Sequence, residues 1–347
     1  MTIINNLEID DITYIENEMK SAIVNNDVIE SKLHVIIVVS NPCQYARRYI
    51  LAREFIRRFE NDENDVILYI VELAYGKQRF HVTDKANPRH LQIHTNTPVL
   101  WHKENMINMG VKHLLPKSWK AFAWIDADIE FESTTWALDT LKILNGCRDM
   151  VQIFSHCVDM DAHENALQIF SSFGFQYSKR KEYGRYSANN YFHPGYGWAM
   201  TRKIYDKMNG IYDLSLLGSG DHNMALSYIG KGRSSVNGMV HENYKKSIEE
   251  WENRIKRIRI GYVPGVIRHY FHGTKENRKY SERWKILVDH QYDPYIHVTY
   301  RDDGLLIPTA ECPQGLLDDI LNYFAERNED EGFIEAKIKN KDNVCKW

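Results

Sequence analysis

The stretch "AFAWIDADIEF", residues 121 to 131, poses the question on which the fold of this chain turns. Five mostly apolar residues lead straight into Asp126-Ala127-Asp128, and the apolar pattern resumes at once with Ile129 and Phe131. Two carboxylates at the mouth of an apolar run are costly unless something positive meets them. One reading is a surface turn between two strands. The other is a divalent metal. Residues i and i+2 of an extended chain project to the same side, so Asp126 and Asp128 face one ligand while Ala127 points away. Hard divalent ions take carboxylate oxygens and accept phosphate oxygens and water in their remaining positions.

Working outward, the acidic pair closes a strand-helix alternation. "LHVIIVVS" from residue 33 reads as a buried strand, and "YARRYILAREFIRRFE" as a helix with Tyr49, Ala52, Phe55, Ile56 and Phe59 on one face. "DVILYIVEL" is a second strand, "VLWHKENMINMGVKHLL" a helix, and "KAFAWI" the third strand, ending at the acids. "STTWALDTLKIL" follows as a helix capped by Ser133 or Thr134. This β-α-β-α-β run over residues 32 to 145 predicts an α/β fold with a mostly parallel sheet covered on both faces. Ligands of such sheets sit beyond the carboxyl ends of the strands, where Asp126 and Asp128 lie. Residues 1 to 30 read as one or two polar helices, and residues 75 to 98 match no pattern. The second half is less regular. "DMVQIFSHCVDM" reads as one strand, "GSGDHNMALSYIGKG" as a short helix between glycines and "KSIEEWENRIKRIRI" as a charged helix. "VIRHYFHG" is a strand with a His-Gly turn, and "GLLDDILNYFAERNEDEGF" a terminal helix.

Composition excludes several classes. A formal net charge of −3 gives no bulk indication of a nucleic-acid partner. No apolar run approaches the roughly 18 residues of a membrane span, and the acidic N-terminus does not read as a secretory signal. Five scattered cysteines (Cys43, Cys147, Cys157, Cys312, Cys345) lack metal-ligand spacing and point to a reducing compartment, hence a cytoplasmic location.

Three further stretches carry chemistry. In "RHYFHG", residues 268 to 273, His269 and His272 are either satisfied strand-end histidines or metal ligands, with His272 favoured by its place before the glycine turn. Lys275, Arg278, Lys279 and Arg283 follow as a solvated face, or as cations for a departing diphosphate. In "LLGSGDHNMA", Asp221 is either a helix cap or a general base. In "FHPGYGWAMTRK", Tyr196, Gly197 and Trp198 pack in the core or stack on a sugar.

These four stretches, in this order, resemble the GT-A superfamily of nucleotide-sugar glycosyltransferases over about residues 33 to 285. The resemblance implies a DxD pair, Asp126 and Asp128, binding Mn²⁺ or Mg²⁺ on the donor diphosphate, with His272 or His269 as third ligand and Asp221 as the base of an inverting reaction. It implies donor contacts from Glu72, Lys103, Asn108, Asp126, Ala127, Lys275 and Arg278, and acceptor contacts from Tyr196, Gly197, Trp198 and Gly220. The implied division is an N-terminal helical extension (1–31), a nucleotide-sugar and metal-binding half (32–150), an acceptor-binding half (151–304) and a helical tail (305–347). The partners would be a nucleoside-diphosphate sugar, with uridine the expected base, and a glycan or other hydroxyl acceptor. By general look the nearest relatives are soluble viral, phage and bacterial enzymes, which would place a viral chain in the host cytoplasm. A nucleotidyltransferase and a non-catalytic glycan-binding module remain as alternatives, with glycosylation of modified viral DNA bases as a special case.

Overall fold

The computed structural model describes residues 3–4, 7–8, 18–180, 192–280 and 282–331. Its first half contains helix α1 (Glu18–Asn25), strand β1 (Leu33–Ser40), α2 (Ala46–Asp62), β2 (Val66–Tyr75), β3 (His90–Thr95), α3 (Lys103–Leu114), β4 (Ala121–Ile125), β5 (Ile129–Phe131) and α4 (Trp136–Leu144). Then come β6 (Met150–Gln152), β7 (His156–Met160), β8 (Ala166–Ser172), α5 (Phe173–Ser178), β9 (Phe192–His193), β10 (Gly197–Thr201), α6 (Arg202–Met208), α7 (Gly220–Tyr228) and α8 (Glu242–Arg254). The chain continues through β11 (Ile260–Tyr262), β12 (Val266–His269), α9 (Arg283–Asp289), the hairpin β13 (Val298–Tyr300) and β14 (Leu306–Pro308), and α10 (Gln314–Glu326).

Seven strands form the main sheet in the order β11-β6-β10-β4-β1-β2-β3, and every neighbouring pair is parallel except the two made by β10. The expected fold class, a mostly parallel sheet covered by helices on both faces, is the one observed. Strand alternation explains the two covers. Ile36, Tyr69, Val71, Phe122 and Trp124 point into one core with α3, α7, α8 and α10, whereas Val35, Ile37, Leu68, Ile70 and Ala123 point into the other with α2 and α4. Strands buried on both faces need the near-continuous apolar runs that marked them in the sequence.

The second sheet has five strands in the order β9-β8-β7-β12-β5. Its presence explains the abrupt return to apolar residues after Asp128. The chain leaves the main sheet at Ile125 and joins the second sheet at Ile129, which pairs with His269 of β12. The Tyr270 amide donates to the Asp128 carbonyl at 2.8 Å, so the acidic pair is the link between the sheets. "DMVQIFSHCVDM" likewise divides, β6 in the main sheet and β7 in the second, so one expected strand is two. The reversed strand β10 starts opposite the end of β4, Gly197 against Ile125, and the Asp126 amide donates to the Tyr196 carbonyl at 2.8 Å.

Two local expectations change. Of the predicted N-terminal helices, only Glu18–Asn25 is helical among the described residues, and Ile3–Ile4 pairs antiparallel with Leu7–Glu8. Helix α4 starts after Thr135, whose hydroxyl donates to Asp139 at 2.9 Å instead of capping an amide. No helix among the described residues is long and apolar enough to cross a membrane.

Candidate active site

A cavity of about 540 Å³ opens at the carboxyl ends of β1 and β4. Asp126, Ala127 and Asp128 line it, together with Lys103, Tyr196, Asp221, His269, His272, Lys275 and Arg278. Four stretches far apart in sequence therefore converge on one space. The switch between sheets brings the acids, β12 brings the histidines, the turn before β10 brings Tyr196, and α7 brings Asp221.

Asp128, His269 and His272 each present one ligand atom within 4.8 Å of the others. Asp128 Oδ2 lies 3.0 Å from His272 Nε2 and 3.8 Å from His269 Nε2, and the two imidazole nitrogens are 3.3 Å apart. Asp159 is nearly fully buried and accepts from His269 Nδ1 at 2.7 Å, which turns the Nε2 lone pair toward Asp128. Burial favours the neutral form of Asp159, yet hydrogen bonds from His269 and Lys275 hold its carboxyl down at about 2. Burial and the neighbouring Arg278 lower His272 to about 4 against the pull of Asp128, leaving the neutral imidazole that a metal requires. Asp128 Oδ1 is buried with no hydrogen-bond partner among the described residues. Three convergent acceptors and an orphaned carboxylate oxygen fit a divalent cation better than they fit one another.

Lys103, at the start of α3, bridges Asp126 Oδ1 at 2.6 Å and Asp221 Oδ2 at 3.1 Å. Burial would strip its charge, but Asp126 and Asp221 hold it protonated well above the usual lysine range. Burial pushes the Asp126 carboxyl up to about 6 against the attraction of Lys103. Asp221 does not cap α7, because Ser219 occupies the N-cap with φ 69° and the Asp221 carboxylate reaches Lys103 instead.

Behind Lys103, Glu104 is fully buried and accepts from Trp101 Nε1 at 3.1 Å. Gly220 lies so close that a Cβ there would sit 2.2 Å from Glu104 Oε1. Burial, then the charge of Asp221, pushes the Glu104 carboxyl up to about 8, so it is largely neutral at pH 7. A carboxyl raised in the folded state contributes stability that is complete below the unfolded value near 4.5 and is lost as pH rises through about 8. A tenfold change in proton affinity between the folded and unfolded chain is worth about 1.4 kcal/mol. Even half of the Glu104 effect therefore matters against a total stability of about 5–15 kcal/mol. Glu104→Gln should flatten the fall in melting temperature between pH 5 and pH 9; a parallel fall in both proteins would show that Glu104 ionises normally.

The wall facing the acids is cationic. Arg48 Nε donates to Glu329 Oε2 at 2.8 Å, and Arg327 Nε to Glu329 Oε1 at 2.8 Å. Glu329 is buried, and these two guanidiniums with His272 nearby hold its carboxyl well below the usual range in spite of burial. Tyr45 OH lies 2.8 Å from the Phe324 carbonyl and 2.7 Å from that of Ala325, tying the last turn of α10 to the mouth of the cavity. Arg278 Nη2 donates to His272 Nε2 at 2.8 Å, and its Nε is buried without a partner among the described residues. Arg283 completes this wall.

Several expected site residues lie elsewhere. Glu72, expected at the nucleoside, is buried and accepts from the amides of His81 (2.6 Å), Val82 (3.1 Å) and Thr83 (2.9 Å), so it organises the loop over residues 77–89. Asn108, expected at the donor, bonds both backbone groups of Ile211 at 2.9 Å and lines a separate cavity. Trp198 is a core residue, 1% exposed, with Nε1 donating to the Pro194 carbonyl at 2.8 Å. Gly197 is packed against Ile153, and Gly220 against Glu104. Neither glycine reaches the cavity. Tyr196 does, with φ 74° and its ring stacked on His193 at 4.0 Å. Lys275 lines the cavity while ion-paired with Asp159.

Sequence reasoning missed Arg48, Asp159, Arg327 and Glu329. Asp159 had a readable signal, as the one charge inside the apolar strand "HCVDM". Arg48 and Glu329 had none, since each sits in a charged stretch that reads as solvated.

No protein-family model matches the chain, and no curated protein matches it. Among solved structures it is similar to a mannosyltransferase from Pyrobaculum calidifontis in complex with GDP-Man and Mn²⁺, with 11% identity and a TM-score of 0.40 over 79% of this chain and 67% of that one. It is also similar to S. aureus TarS 1-349, with 11% identity and a TM-score of 0.35 over 87% of this chain and 72% of that one. A third likeness is to the glycosyltransferase GlyE of Streptococcus pneumoniae, with 11% identity and a TM-score of 0.29 over 87% of this chain and 63% of that one. All three likenesses are remote.

Proposed function

We propose that this chain is a metal-dependent glycosyltransferase that moves a sugar from a nucleoside-diphosphate donor, UDP-linked by preference, to a hydroxyl acceptor with inversion. The observation that carries this reading is one cavity holding an Asp-His-His cluster, a wall of arginines and the Asp221 carboxylate on Lys103. Asp128, His269 and His272 would hold Mn²⁺ or Mg²⁺, with Asp126 beside them. When bound, the ion supplies Lewis-acid stabilisation of the diphosphate leaving group. Arg278 and Arg48 stand where the same diphosphate oxygens would take charge-assisted hydrogen bonds. Asp221, on α7 and joined to Asp126 through Lys103, takes the proton of the attacking hydroxyl. Lys103 keeps Asp221 and Asp126 apart in charge, so one serves the acceptor while the other serves the donor.

The test is a calorimetric titration of UDP and GDP into the full chain, with Mn²⁺ and again with EDTA. Metal should tighten one of the two nucleotides by at least about tenfold, since the cation joins diphosphate and carboxylates that otherwise repel. Equal affinity in both conditions, or no binding of either nucleotide, would remove the reading.

A further inference from the structure

Arg283 has a position that the donor does not account for. It is 9% exposed and lines the cavity, yet among the described residues it forms no ion pair with a carboxylate. Its partners are neutral: Nη2 donates to Ser219 Oγ, Nη1 donates to Tyr323 OH at 3.2 Å, and the guanidinium lies 5.1 Å from the centre of the Tyr280 ring. A buried guanidinium satisfied only by neutral groups keeps most of its desolvation cost.

The charges of the cavity say what is missing. Asp126, Asp128 and Asp221 bring three negative charges and Lys103 one positive, with Lys275 cancelled by Asp159, which leaves two for a divalent ion to balance. On the facing wall Arg48, Arg278, Arg283 and Arg327 bring four positive charges and Glu329 one negative, which leaves three. The diphosphate of a nucleotide sugar supplies two. Position identifies the remaining cation. Arg48 and Arg327 share Glu329, Arg278 lies on His272 beside the metal cluster, and Arg283 lies on Ser219, two residues before Asp221. Arg283 thus belongs to the acceptor side.

We propose that the acceptor carries an anionic group, a carboxylate or a phosphate, close to its reacting hydroxyl, and that Arg283 binds it. The inference rests on the glycosyltransferase reading with Asp221 facing the acceptor. Arg283 is then a specificity residue. It grips the anion through its planar fork and so sets the hydroxyl against Asp221.

The experiment uses the full chain saturated with Mg²⁺ and inorganic pyrophosphate, which fill the donor side, and titrates in D-glucose, D-glucuronate and D-glucose 6-phosphate. At least one anionic sugar should bind about tenfold or more tighter than glucose, the effect of one hydrogen bond to a charged group. Preference for glucuronate would identify a uronic-acid acceptor, and preference for the phosphate ester a phosphorylated one. Arg283→Gln should bring the preferred sugar within about twofold of glucose, and Arg283→Lys, which keeps the charge and loses the fork, should fall between. Equal binding of the three sugars by the unmodified chain overturns the inference without any variant. So does a preference that survives in Arg283→Gln, or a variant that loses pyrophosphate and leaves the sugars unchanged. Failure of the unmodified chain to bind Mg²⁺-pyrophosphate would instead remove the glycosyltransferase reading, and this inference with it.

Discussion

Asp221→Asn is expected to lower turnover by about 10²–10⁴-fold, the usual worth of a positioned general base, while donor affinity stays near that of the unmodified protein. The substitution separates the chemistry from the architecture. Asn has the shape of Asp, and α7 does not depend on this side chain, because Ser219 is at the N-cap and the carboxylate turns toward Lys103. Lys103 also keeps Asp126, 2.6 Å away, so it does not lose its place when Asp221 loses its charge. The pair with Lys103 is partly exposed, the Asp221 side chain at 22%, so little stability should go with it. Release of nucleoside diphosphate by hydrolysis of the donor is a sufficient readout, since water in the acceptor place needs the same base. Turnover close to that of the unmodified protein would make Asp221 a counter-ion of Lys103 and nothing more.

The main sheet was legible because burial on both faces leaves a plain mark. β1, β2 and β4 are apolar runs of strand length separated by helical periodicity, the pattern that a doubly covered parallel sheet imposes. The second sheet was not legible as a sheet. β9, β5 and β12 are only two, three and four residues long, and the pairing of the sheet joins residue 131 to residue 267 and residue 157 to both 170 and 267. Such register is set by tertiary packing, which no local window contains. The single strand expected over residues 149 to 160 failed for this reason. The bend over residues 153 to 155 has no glycine or proline to announce it.

The candidate site divides along a similar line. Asp126, Asp128, His269, His272 and Asp221 stood out because polar residues interrupt apolar or glycine-rich stretches at strand and helix ends. The structure brings all five to one cavity. Glu72 and Trp198 stood out by the same rule and went elsewhere. A buried carboxylate is equally well met by three backbone amides as by a ligand, and a large ring beside glycines is equally a core residue. Type and spacing do not distinguish these outcomes. Which groups supply the hydrogen bonds does, and that is decided by contacts such as those of residues 81–83, about ten positions on in the chain. Arg48 and Glu329 show the converse. They are 281 positions apart in the sequence and meet at the mouth of the cavity, where a charged helix face and an acidic tail become one ion pair with its carboxylate buried.

Asp128→Asn should abolish the stabilisation that Mn²⁺ gives the chain while leaving the metal-free protein folded, and should cut transferase activity at least about tenfold. In the metal-free chain Asp128 is an awkward group. Burial opposes its charge, although His272, His269 and Arg278 hold its carboxyl well below the usual range; one oxygen has no partner, and the other faces the two imidazoles. Asn gives up that attraction but offers an N–H to the His269 and His272 nitrogens, so the metal-free melting temperature should change little. The loss appears only with the ion. At a free Mn²⁺ concentration of about 100 times the dissociation constant, binding adds about 2.7 kcal/mol to the unmodified protein. A variant that has exchanged an anionic ligand for a neutral amide should show almost none of it at the same concentration. A loss confined to the metal-bound state is what a cation site requires, because a carboxylate serving only to orient the two histidines would, on replacement, lower the melting temperature in both conditions alike. Thermal melts of both proteins in EDTA and in Mn²⁺ decide the matter, and a variant that keeps the full Mn²⁺-induced rise would place the ion somewhere other than Asp128, His269 and His272.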